Sequence, residues 1–129
     1  MSHQAMIELS GERAGFSVCF QGIKVGSDLV TIVSGGDKAH IGATALAQPR
    51  PSLKNSEKIS ASTSVLCVMG HKEDMLAHHL AQTLASHLNC VVSVSCGIHM
   101  DNADAQQIKS IQSLVTELLD QFILKLKLH

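Results

Sequence analysis

The chain has 129 residues, 45% of them hydrophobic and 16% charged, with a formal net charge of −1. This length suits one domain, 1–129, able to bury roughly two-thirds of the surface its unfolded form exposes, and the composition excludes intrinsic disorder. The near-neutral charge argues against a nucleic-acid partner, and no stretch reaches the roughly 20 apolar residues that a membrane helix needs.

The opening segment, MSHQAMIELSGER, lacks a basic region followed by a long apolar run, so no signal peptide is expected and the cytoplasm is the expected location. Two short apolar runs in MIELSGERAGFSVCFQGI predict a hairpin that turns around Ser10-Gly11-Glu12. DLVTIVSGG is β-branched and predicts a strand ending at Gly35-Gly36, and AHIGATALAQ is a further strand with small side chains that permit close packing. PRPSLKNSEKISAST, with two prolines among polar residues, predicts a long loop of the kind that carries function.

The second half alternates. TSVLCVM predicts a strand. Leu76, Leu80, Leu84 and Leu88 then recur at helical spacing beside Ala77, Ala81 and Ala85. CVVSVSC is the next strand. Ile108, Ile111, Val115, Leu118 and Phe122 mark a last helix, N-capped by Asp101 or Asn102, whose stripe packs on the sheet or on a second subunit. Strands first, then β-α-β-α, predict an α/β layered (α+β) fold with a sheet and helices gathered on one face.

The four cysteines, Cys19, Cys67, Cys90 and Cys96, form no C-x-x-C pair. Cys67 and Cys96 sit in apolar runs and read as buried, reduced thiols. With three Phe, no Trp and no Tyr, a flat ligand would meet mainly aliphatic, methionine or histidine groups.

Three histidines lie just beyond strand ends: His40, His71 and His99. His71 and His99 each follow a strand and precede a helix, so they can line one pocket at the C-terminal ends of parallel strands. His40 joins them if its loop folds toward that edge. Taken singly, each histidine is more simply a strand end or a helix cap. The helix start after Gly70 offers free N–H groups to an anion, with Lys72 beside them, although Glu73 and Asp74 are also plain complements to a helix dipole. Neither G-x-x-x-x-G-K-[ST] nor G-x-G-x-x-G follows a strand, H-E-x-x-H is absent, and so is G-x-S-x-G. Asp74 and His78, or His71, His99 and Asp101, could share a metal ion. His78, His79 and His87 receive no role. Arg50, framed by Pro49 and Pro51, suits a phosphate or carboxylate, against the commoner reading of a solvated loop arginine.

Taken as an ordered set, GGDKAHIGATALAQPRPSL, GHKEDMLAHHLAQTLASHL and GIHMDNA resemble the small prenylated-flavin chaperones that accompany UbiD-like, gallate-type decarboxylases as accessory proteins. The likeness covers roughly 26–111. It implies a fold like that of proteasome assembly chaperones: a mainly antiparallel sheet of about six strands with two main helices on one face, assembled as a homodimer. It implies a binding protein without catalysis of its own. The cargo would be reduced prenylated FMN, supplied by a flavin prenyltransferase and delivered to an apo UbiD-like aromatic-acid decarboxylase. The matching polar positions are His40, Arg50, His71, Lys72, His99 and Asp101. Arg50 or Lys72 would take the phosphate, and the histidines would offer neutral hydrogen-bonding groups to the ring or ribityl chain. Gly35, Gly36 and Gly42 would let backbone approach the ligand closely. Where the family pattern often has proline before the first histidine, this chain has Ala39.

Two other readings compete. One is a small metal-dependent enzyme using His71, His99 and Asp101. The other is a protein-only assembly factor that offers the apolar stripe of its last helix to a partner.

Overall fold

The computed structural model describes residues 6–69 and 73–129. In chain order the elements are β1 (Met6–Arg13), β2 (Phe16–Val25), β3 (Asp28–Gly36), β4 (Ala43–Pro51), β5 (Ile59–Cys67), α1 (Asp74–Leu88), β6 (Val92–His99) and α2 (Ala105–Lys127). The strands form one sheet in the order β1-β2-β3-β6-β4-β5. Neighbours are antiparallel except β3 and β6, which run parallel. The expected fold class is therefore what is observed: a six-stranded, mostly antiparallel sheet with two helices.

Alternation along each strand sorts the side chains. In β3, Leu29, Thr31 and Val33 face inward while Val30 and Ile32 face out. The register carries the inward side across the sheet through pairs such as Phe20 with Val33, Val33 with Cys96, and Ala43 with Cys96. Both helices cover this face and share one core with it. α1 lies over β4, β5 and β6, and α2 lies over β1 and β2. Ala43, Ala45 and Ala47 of β4 are fully buried, as are Ala77, Ala81 and Ala85 of α1, so small residues meet and the helix sits close. Under α2, the room for a side chain at Gly22 is filled by the Phe122 ring, which also packs on Phe20 with ring centroids 5.4 Å apart.

Four expectations change. The first hairpin turns at Ala14-Gly15, where φ is 55° and 85°, as a two-residue primed turn requires, and Ser10-Gly11-Glu12 lies within β1. The proline-containing stretch is not a long loop, because β4 runs through Pro51 and β5 starts at Ile59, leaving only 52–58 as a connection. The prolines fit because β6 pairs with β4 only as far as Ala47, so Pro49 and Pro51 have no partner strand on that side. The helix α2 is capped by Asp104, not Asp101 or Asn102. Asp104 accepts from Gln107 N at 2.7 Å, and the Gln107 side chain accepts from Asp104 N at 3.0 Å, a capping box. Cys67 is exposed at the end of β5, whereas Cys96 is fully buried.

Candidate functional site at the sheet edge

Strand order dictates the site. β6, late in the chain, lies between β3 and β4, so the connection from Gly36 to Ala43 must cross over the end of β6. Backbone hydrogen bonds fasten this crossing: Asp37 N donates to His99 O at 2.6 Å, and Gly42 N donates to Cys96 O at 2.9 Å. The start of α1 comes to the same edge. The ends of β3, β5 and β6 therefore meet the start of β4 there. β5 and β6 run in the same direction, as expected, but β4 separates them.

Close approach explains the glycines. A Cβ at Gly36 would strike the backbone of His99, and one at Gly97 would strike the carbonyl of His40. A Cβ at Gly35 would meet Ser17 backbone, and one at Gly42 would meet the Glu73 carboxylate. The missing side chains thus let the crossing segment lie flat on the strand ends, and the protein's own atoms fill the space. Gly36 also has φ of 77°, in the left-handed region that favours glycine.

His40 is held at both ring nitrogens. Nδ1 lies 3.0 Å from the Lys38 carbonyl oxygen and Nε2 lies 2.8 Å from Glu73 Oε1. A carbonyl only accepts, so Nδ1 carries a proton. A carboxylate facing Nε2 then favours a second proton on the ring. The hydrogen bond to Lys38 O is the larger cause, and Glu73 adds to it, so the His40 pKa is raised against the opposing effect of burial. Where the sequence reading has His40 offering its ring to a ligand, both ring nitrogens in the fold already face protein acceptors, Lys38 O and Glu73 Oε1.

His99, the last residue of β6, is about half exposed. Its Nε2 lies 2.8 Å from Asp101 Oδ1, and its ring meets that of His40 edge-on with centroids 6.1 Å apart. Asp101 N donates to Asp37 Oδ2 at 2.6 Å, so the turn after β6 is tied back to the crossing segment. The Cys96 thiol lies beneath, pushed up to about 12 by burial first and by the Glu73 charge second.

The structure thus brings His40, His99 and Asp101 together, along with Gly36 and Gly42. Gly70, His71 and Lys72 lie outside the described residues. Arg50 does not join this group. It stands seven residues beyond Ala43 on β4, about 23 Å away at the rise of an extended strand, where it donates to Ser62 Oγ and to Pro51 O. Glu73 and Asp37 are the site members that sequence reasoning missed. Glu73 read as a helix-dipole complement, and nothing local marks a partner 33 positions away. His78 and His87 line a separate open groove between α1 and β5. Among the described residues no three His, Cys, Asp or Glu side chains gather as a metal site. Most of the apolar stripe of α2 packs into the core: Ile111, Val115, Leu118 and Phe122 are buried, while Ile108 at its start is exposed.

The sheet-and-helix arrangement is that of proteasome assembly chaperones. It matches a chain in the crystal structure of a chaperone complex for yeast 20S proteasome assembly at a TM-score of 0.58 and 14% identity, covering 97% of this chain and 98% of that one. No curated protein sequence matches the chain. Residues 12–127 match the family described as the prenylated flavin chaperone LpdD-like domain. The chain belongs to that family.

Proposed function

We propose that this protein is a non-catalytic carrier that binds reduced prenylated FMN and delivers it to an apo UbiD-like aromatic-acid decarboxylase in the cytoplasm. The flavin would come from a flavin prenyltransferase. The family match over residues 12–127 carries this reading. The edge site supports it with polar groups at the strand ends. Asp101 and the half-exposed His99 suit the N–H and hydroxyl groups of a ring edge and a ribityl chain. The carboxylates Asp37, Glu73 and Asp101 do not suit a phosphate. That end of the ligand would fall to Lys72 and to the N–H groups at the start of α1.

A homodimer is part of the proposal. The sheet face away from the helices is open, with Val30, Ile32, Leu46 and Leu66 exposed on it, and a second copy would cover that apolar surface. Among the described residues no helix is long and apolar enough to cross a membrane.

The test is native mass spectrometry of the protein purified without oxygen from cells that also make a flavin prenyltransferase. A mass increment of reduced prenylated FMN is expected. A bare protein, with the flavin present in the lysate, would replace the carrier reading with a protein-only assembly factor.

A further inference from the structure

A groove of about 350 Å³ opens between α1 and α2 beside the end of β6. Its walls are mainly aliphatic: Leu76, Ile98, Met100, Ile108, Val115 and Leu119. Glu73 also lines it, and the Glu73 carboxylate is the group that holds His40. One side chain therefore belongs both to the polar edge site and to the apolar groove. Ile98 and Met100 likewise flank His99 in sequence, so alternation sends the neighbours of a polar site residue into the groove.

Resting on the carrier reading above, we infer that this groove receives the aliphatic, prenyl-derived portion of the flavin, while the polar edge takes the ring and ribityl groups. An apolar slot with a few polar groups at one end is the usual form of a small-molecule site. Prenylation adds a branched hydrocarbon unit that plain FMN lacks, and removing that unit from water gives the groove something to bind. All three phenylalanines, Phe16, Phe20 and Phe122, are buried in the core and the chain has no Trp or Tyr, so no large aromatic side chain is exposed to stack a flavin ring. Aliphatic contact then carries the distinction between the two flavins. Burying part of such a unit corresponds to on the order of tenfold to a hundredfold in affinity.

Equilibrium dialysis of the full chain under anaerobic conditions, with reduced prenylated FMN and reduced FMN as the two probes, tests this. The wild type is expected to prefer the prenylated form by about tenfold or more. Two variants at exposed groove positions follow: Ile108→Asp puts a charge in the groove, and Thr116→Trp places an indole across it. Each should retain its affinity for plain FMN and its melting temperature, and lose the preference. Equal binding of both flavins by the wild type, or an undiminished preference in both variants, overturns the groove assignment and leaves the carrier reading standing. Failure of the wild type to bind either flavin overturns the carrier reading itself.

Discussion

Glu73 and His40 lie 33 positions apart in sequence, and the Glu73 carboxylate sits 2.8 Å from the His40 ring. The contact joins the start of α1 to the segment that crosses β6, so it ties together two of the pieces that make the edge site.

The pair makes stability depend on pH. Folding raises the His40 pKa, so the folded chain holds this proton more tightly than the unfolded chain does. The stabilisation is fully present below the ordinary imidazole value near 6.5 and is lost as pH rises through the raised folded value. His40→Gln should therefore cost more at about pH 5.5 than at about pH 8.5. Urea unfolding of both proteins at each pH measures the difference. Equal deficits would mean that the folded chain does not favour the protonated ring.

Gly97→Ala tests the crossing. The added methyl would meet the carbonyl of His40, which is backbone and cannot swing aside. Destabilisation of about 1–3 kcal/mol is expected. It should come with a shift of the His40 ring signals in an NMR spectrum. An unchanged stability and spectrum would show that the segment has room to move.

Thr31 faces the core at 1% exposure, and its hydroxyl has no hydrogen-bond partner among the described residues. Valine has nearly the same shape and no polar atom to bury. Thr31→Val should raise stability by about 1 kcal/mol, read as a higher denaturation midpoint with unchanged slope. A loss of stability would point to a partner for the hydroxyl.

The cysteines should separate by reactivity. Cys67 is exposed at the end of β5, while the Cys96 thiol is buried and its pKa pushed up to about 12. Alkylation near neutral pH followed by peptide mass mapping should label Cys67 promptly and Cys96 only after unfolding. Prompt labelling of Cys96 in the folded protein contradicts the burial.

Asp104→Ala removes the side-chain half of the capping box at α2, the acceptor for Gln107 N, and leaves the backbone N–H of residue 104 donating to the Gln107 side chain. A loss of about 1 kcal/mol is expected, and Asp104→Asn should recover most of it. Equal losses for the two variants would show that the cap is not the reason for the cost.

Periodicity made the helices and most strands legible. The Leu76, Leu80 and Leu84 spacing and the β-branched run before Gly35 report their own burial, because each is a local pattern set by one face. The placement of histidines at strand ends was legible for the same reason, and it led to His40 and His99 on one edge. Arg50 was misplaced because a proline pair looked like a loop. Whether prolines can sit in a strand depends on how far the neighbouring strand reaches, which is a fact about β6 and not about the residues near Arg50. Glu73, Asp37 and Gly97 were illegible for a related reason. Their partners come from segments that only the sheet order brings together.

The sheet order has a further consequence for the chain as it is synthesised. β1, β2 and β3 can pair with one another early, and so can β4 and β5, but β6 pairs with β3 on one side and β4 on the other. Until residues 92–99 have left the ribosome and slotted in, the two groups of strands have no ladder between them. The segment bearing His40 has nothing to lie across in that interval. A nascent chain would thus hold two unjoined halves, and the edge that brings His40, His99 and Asp101 together would arise only when the last strand closes the gap.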